Sequence, residues 1–231
     1  MRILLIAAVW LFFLHNISAQ QRKAYIVKAG ETPGEALPAE ALYVFPVFIE
    51  GIVYLRDGSF SRQKFNYNIL QSEMQFISTN GDTLAIADPP MIKNIIIDTV
   101  VYYYDKSYLQ VISQIDSFKL AIKQRLIQLP YRTRAGYDAP SGVSSITTYG
   151  SITARGSVAR LQARKDVLFE KEIVYYVSDQ FSHFIRADKK AFLNMFGNKK
   201  NLIQKYMNEN NINYFSKEDL QKLLTFCVYK D

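Results

Sequence analysis

The chain has 231 residues, one cysteine, two histidines and a net charge of +7, from 28 Lys and Arg against 21 Asp and Glu. A single cysteine excludes an internal disulfide framework and a thiolate-rich metal site, and one histidine, His183, beyond the N-terminal His15 excludes centres that need two imidazoles. An aromatic content of 14%, with 16 Tyr and 15 Phe, suits a β-rich domain that buries its own core.

Residues 1–20 read as a signal peptide. Arg2 precedes an apolar run from Ile3 to Leu14, and small residues follow at Ser18-Ala19 before Gln20. The run has 12 residues, short of the roughly 20 that span a bilayer, and no cysteine stands near the cleavage site to take a lipid. The mature chain is therefore expected to be exported: periplasmic, outer-membrane-associated or secreted. Residues 21–40, with Gly30, Pro33, Gly34 and Pro38, read as an extended lead-in.

From Ala41 the grammar is that of strands. Pro46 marks an edge strand or an entry to a sheet. Asp57-Gly58 and Asn80-Gly81 each predict a tight hairpin of the primed type. Between them, Phe65, Tyr67 and Ile69 alternate with Asn66 and Asn68, and Met74 and Phe76 alternate with Glu73 and Gln75. Pro89-Pro90 breaks the pattern. Strands are then expected at 92–98, 100–104 and 108–112. The stretch 118–129 also reads as a strand, although its composition would serve a helix. Residues 130–160, rich in Gly, Ser, Thr, Tyr and Arg, have no apolar period and read as a long basic surface loop. Strand character returns at 167–177 and 181–185.

The tail from Asp188 to Asp231 switches to helical spacing. Asp188 caps a short helix, and Gly197 ends it. Asn198 is the expected cap of the next, and Asn210-Asn211 stops that one. Ser216 with Asp219 resembles a capping box ahead of Leu220, Leu223, Leu224 and Cys227, which share one helix face. The resulting expectation is an α+β protein. An antiparallel β-meander, open or barrel-like, covers 41–185, and a C-terminal helical hairpin at 188–231 packs on it.

The chain carries no nucleophile elbow, phosphate loop or calcium-loop spacing, so no catalytic residue, cofactor or metal is expected. Its aspartates stand at turns, where carboxylates usually cap. Charge is the one asymmetric signal. Lys and Arg stand against Asp and Glu as 8 to 11 over residues 21–118, 9 to 1 over 119–165, and 10 to 9 over 166–231. Arg132, Arg134, Arg155, Arg160, Arg164 and Lys165, interleaved with tyrosines, form a candidate anion-binding set for an anionic lipid or an acidic glycan. An export signal argues against nucleic acid as the partner.

The runs DGSFSRQKFNYNILQSEMQFISTNGDTLAIADPPMIKNIIID and KKAFLNMFGNKKNLIQKYMNENNINYFSKEDLQKLLTFC resemble uncharacterised secreted or envelope proteins of Bacteroidetes-type Gram-negative bacteria. That resemblance implies the exported compartment and the β-then-helix order, and no assigned activity. Two functions are expected on this footing. One is a non-enzymatic envelope protein with a structural or interaction role, in contact with another envelope protein or peripherally with a membrane. The alternative is a binding module that holds a lipid or acidic glycan with its sheet and basic loop.

Overall fold

A computed structural model describes residues 23–130 and 162–230, so the signal-peptide reading of 1–20 and nearly all of the 130–160 loop lie outside the described residues. Among the described residues eleven strands make one antiparallel sheet. They are β1 (Ala24–Val27), β2 (Ile49–Leu55), β3 (Phe60–Asn68), β4 (Glu73–Ile77), β5 (Thr83–Ala85), β6 (Ile92–Ile97), β7 (Val100–Tyr104), β8 (Tyr108–Ile115), β9 (Phe118–Pro130), β10 (Val167–Ser178) and β11 (Phe184–Arg186). The order is β1-β10-β9-β8-β7-β6-β2-β3-β4-β5, with β11 beside β10. Two meanders, β2 to β5 and β6 to β10, are joined where β2 pairs with β6. The sheet is open. It curls enough that Leu126 N–H in β9 donates to Ile69 O, just past β3, at 3.1 Å.

The expected hairpins form, but with a different turn. In each dipeptide only the glycine takes positive φ, +91° at Gly58 and +88° at Gly81. Gly58 N–H donates to Leu55 O at 3.2 Å and Leu55 N–H to Ser59 O at 2.8 Å. Gly81 and Ser78 repeat the arrangement, with Gly81 N–H on Ser78 O and Ser78 N–H on Asp82 O. This is a three-residue loop closed by a glycine bulge, whereas a primed type I turn needs positive φ at both central residues. Residues 118–130 are strand throughout, because β10 pairs with them from Lys119 to Pro130 and β8 flanks Phe118 to Ile122 on the other side.

The segment expected as an extended lead-in, 21–40, contains β1 and two short helices, α1 (Pro33–Ala36) and α2 (Ala39–Leu42). Val27, Leu37, Ala41 and Leu42 are buried against Leu70 and Phe169, so this segment closes one end of the core. The tail forms α3 (Lys189–Met195), α4 (Lys200–Glu209) and α5 (Lys217–Tyr229). Asp188 caps α3 by accepting from Ala191 N–H at 2.8 Å. Asn198 does not cap α4, since a 3-10 turn over Gly197–Lys199 leads directly into it. Ser216 accepts from Asp219 N–H, but the Asp219 carboxylate turns to Asn213 N–H, which leaves only half of a capping box. Among the described residues no helix is long and apolar enough to cross a membrane.

Cross-strand partners share a face, so the register shows where each core lies. Phe65, Tyr67, Met74, Ile95, Ile97 and Tyr102 fill the concave side of the meanders. Farther along that face, Leu120 and Val177 meet Phe192, Ile203, Leu220, Leu223 and Leu224 from the helices. Cys227 lies in the same cluster, and burial pushes its thiol up to about 12.

Gly51 sits where β2 crosses this core. A Cβ there would lie 2.6 Å from Ile96 O and 3.0 Å from the Phe65 ring. The carbonyl belongs to a paired strand and cannot step aside. Gly51→Ala is expected to cost about 1–3 kcal/mol by overpacking, read as a lowered denaturation midpoint with an unchanged slope.

Candidate functional site

The structure divides the basic middle of the chain into two groups. Arg132, Arg134, Arg155 and Arg160 lie outside the described residues. Arg164 and Lys165 are exposed neighbours at the foot of β10. Their turn is held by Gly30 N–H on Ala163 O, Ala163 N–H on Glu31 O, and Ala29 N–H on Asp166 Oδ1. The remaining cations of the segment are committed to the fold. The Arg125 guanidinium pairs with Glu172 directly across the β9–β10 ladder. Lys123 is half-buried, and desolvation lowers its pKa despite nearby Glu172.

Lys119 carries the most constrained chemistry, and sequence reasoning passed over it as an alternating strand residue. The side chain is buried. Its Nζ donates to Ser182 Oγ at 3.0 Å and to Ser117 O at 3.2 Å, and it lies 5.3 Å from the Tyr103 ring centroid. Burial lowers the Lys119 pKa, opposed by the charge of Asp179. Ser182 stands at φ +65°, an uncommon conformation for serine. A lysine against a serine hydroxyl at a strained tip has the outline of a nucleophile and its base. The donors that would hold an oxyanion are already engaged, however. Ser182 N–H donates to Asp179 O, His183 N–H to Asp179 Oδ1, and Phe184 N–H to Asp105 Oδ2. The cluster works as a clamp on the β10–β11 hairpin. The exposed His183 belongs to it through Nδ1, which lies 3.1 Å from Asp179 Oδ2.

A groove of ≈ 880 Å³ runs along the outer edge of β10, between the N-terminal elements and the helical tail. Tyr25, Tyr175, Tyr214 and Phe215 supply its aromatic wall, and Lys171 and Ile173 line it from β10. Its charges are mixed, with Lys23, Lys171 and Arg186 against Glu40, Glu170, Glu172 and Asp188. Phe215 is 77% exposed and Ile173 41%, so apolar surface reaches solvent here. No sequence signal marked this groove, because its sides come from segments far apart in the chain. Among the described residues no three His, Cys, Asp or Glu side chains gather as a metal ion would require.

Compared with known proteins, the chain matches no family model, no curated protein and no solved structure.

Asp179 makes the hairpin clamp sensitive to pH. Burial would raise its pKa, but the His183 N–H and ring and the Phe181 N–H outweigh that and leave it lowered. A carboxylate with a depressed folded-state pKa stabilises above its unfolded value of about 3.9 and loses that contribution as pH falls through the folded value. Amide exchange at Phe181 and His183, measured from pH 5 down to pH 2, is expected to accelerate beyond its intrinsic trend as Asp179 protonates. In Asp179→Asn that step should vanish.

Proposed function

We propose that this is a non-enzymatic, exported protein of the cell envelope with a structural or interaction role, which works through its outer surface. One observation carries the reading. The concave side of the sheet, where a carrier of lipids would keep its chamber, is packed with the protein's own Phe65, Tyr67, Met74, Ile95 and Tyr102, each 1% exposed or less. Binding sites for small amphiphiles are concave and largely preformed, and the stretch of the inner face between the meanders is filled, while the ≈ 880 Å³ groove lies beside it. The signal-peptide grammar of residues 1–20 and the resemblance to secreted envelope proteins support the compartment. The exposed Phe215 and Ile173 beside the groove supply surface for contact with another protein. Native mass spectrometry of protein purified from its own envelope fraction tests this. The expected spectrum shows the bare chain, alone or with a protein partner. A stoichiometric lipid retained after desalting would overturn the reading in favour of a carrier.

A second reading has its own support. Arg164 and Lys165 are exposed side by side at the foot of the segment that carries Arg132, Arg134, Arg155 and Arg160, while Arg125 is consumed by an ion pair. Such a set suits an anionic lipid or an acidic glycan. Binding to vesicles containing phosphatidylglycerol, or to a polyanionic polysaccharide, is then expected to weaken as salt rises, because exposed charges are screened beyond about 8 Å at physiological ionic strength. Replacing Arg132, Arg134, Arg155 and Arg160 by Ser should abolish it while moving stability by no more than about 0.5 kcal/mol. Equal retention of wild type and variant would remove this reading.

A further inference from the structure

Alternate residues of a strand share a face, and on β10 that rule sets Phe169, Lys171, Ile173, Tyr175 and Val177 on the inner side of the sheet. Phe169 is buried in the core under the N-terminal elements, and Val177 in the core under the helices. The three residues between them line the ≈ 880 Å³ groove. Ile173 is 41% exposed there, and Phe215 beside it is 77% exposed. Lys171 is the one charged residue of this row. It stands across the ladder from Leu126, which packs against two of the apolar clusters. Desolvation lowers the Lys171 pKa, and no carboxylate opposes the shift, although Glu40 and Asp188 line the same groove. Lys119 and Lys123 differ in this respect, since Asp179 and Glu172 offset their shifts. Among the described residues the Lys171 ammonium makes no hydrogen bond or ion pair. The neighbouring Glu172 lies on the opposite face, committed to Arg125.

The groove therefore offers an uncompensated cation beside aromatic rings. Tyr25 enters from β1, Tyr175 from β10, and Tyr214 and Phe215 from the turn ahead of α5. The Tyr214 hydroxyl is engaged by Met207 Sδ at 3.4 Å, whereas those of Tyr25 and Tyr175 make no hydrogen bond among the described residues. Glu40 adds an acceptor and Lys23 a second cation. An acyl chain laid here would strip water from Lys171, Lys23 and Glu40 and give them no partner in return. A sugar ring presents apolar C–H faces to aromatic rings, and its hydroxyls both donate and accept. A uronic acid adds the carboxylate that an unpaired ammonium lacks. The volume falls within the about 300–1,000 Å³ usual for small-ligand sites.

We propose that this groove binds an acidic oligosaccharide, with a uronate carboxylate on Lys171 Nζ and sugar rings against Tyr25, Tyr175 and Phe215. Glu40 accepts from the sugar hydroxyls, and Lys23 meets a second carboxylate of the same chain. The proposal goes beyond the interaction role above and does not depend on the compartment. Its site is also separate from the basic segment, because neither Arg164 nor Lys165 lines the groove.

Titration calorimetry on the purified protein tests it, with tetrasaccharides of galacturonate, mannuronate and glucuronate as probes and the methyl ester of each as the uncharged counterpart. At least one acid is expected to bind, and its ester to bind roughly tenfold more weakly. In Lys171→Gln the acid and the ester should bind alike, since the pair that distinguishes them is gone. Phe215→Ala should weaken both forms, and Arg164→Ser with Lys165→Ser should leave both unchanged. Lys171 and Phe215 are exposed, so their variants are expected to keep the melting temperature of the parent. Binding of none of the three acids would overturn the proposal, as would a preference for acid over ester that persists in Lys171→Gln. Loss of binding in the Arg164 and Lys165 variant, with Lys171→Gln like the parent, would move the glycan to the basic segment and overturn the groove assignment alone. Displacement of the saccharide by an equal concentration of laurate would overturn it in favour of an amphiphile.

Discussion

Twelve consecutive residue pairs join β9 to β10, and among the described residues both terminal segments are attached to that ribbon. Its Phe118 end is flanked by β8 and covered by α3 to α5 over Leu120 and Val177. Its Pro130 end carries β1, α1 and α2 over Phe169 and Leu126. Without the ribbon the two terminal segments would share no common surface. Each is too small to bury an apolar face alone, and helices of four residues have no independent stability. The ribbon's length is therefore what lets a meander with one core support two further ones.

The same ribbon accounts for how the chain uses its excess of positive charge. Lys119 sits under the β10–β11 hairpin, Lys123 is half-buried, and Arg125 faces Glu172 across the ladder. These cations are held at fixed positions by a sheet that already restricts their rotamers, which makes pairing less costly than between free surface chains. Arg164 and Lys165, outside the ladder, keep their charge in solvent. Buried polar residues elsewhere also fasten loops. Asn66 donates to Phe45 O and Val47 O and accepts from Phe45 N–H, while Asn68 accepts from Leu70 and Gln71 N–H. Between them Tyr67 points into the core and donates to Gln124 O on β9, which helps to curl the sheet.

The sheet has two ends and treats them differently. At one, β5 is three residues long, a short edge of the kind that discourages pairing with other chains. At the other, the outer edge of β10 is covered by β1 and β11 among the described residues.

Much of this was legible in the residues. Period-two runs, the glycines at 58 and 81, the caps at Asp188 and Ser216 and the buried stripe around Cys227 express interactions within a few positions of the chain, and those interactions hold in almost any surroundings. The turn type was misread, because the same two residues serve either hairpin and the strands' register selects between them. Residues 21–40 looked like a lead-in because their strand is four residues long, and only pairing with β10 makes it one. The Lys119–Ser182 contact and the groove could not be read at all, since each joins segments far apart in sequence. Local propensity established where strands begin and end. Which strand lies beside which was decided by the burial of four apolar clusters against one twisted ribbon, and that is a property of the assembled chain.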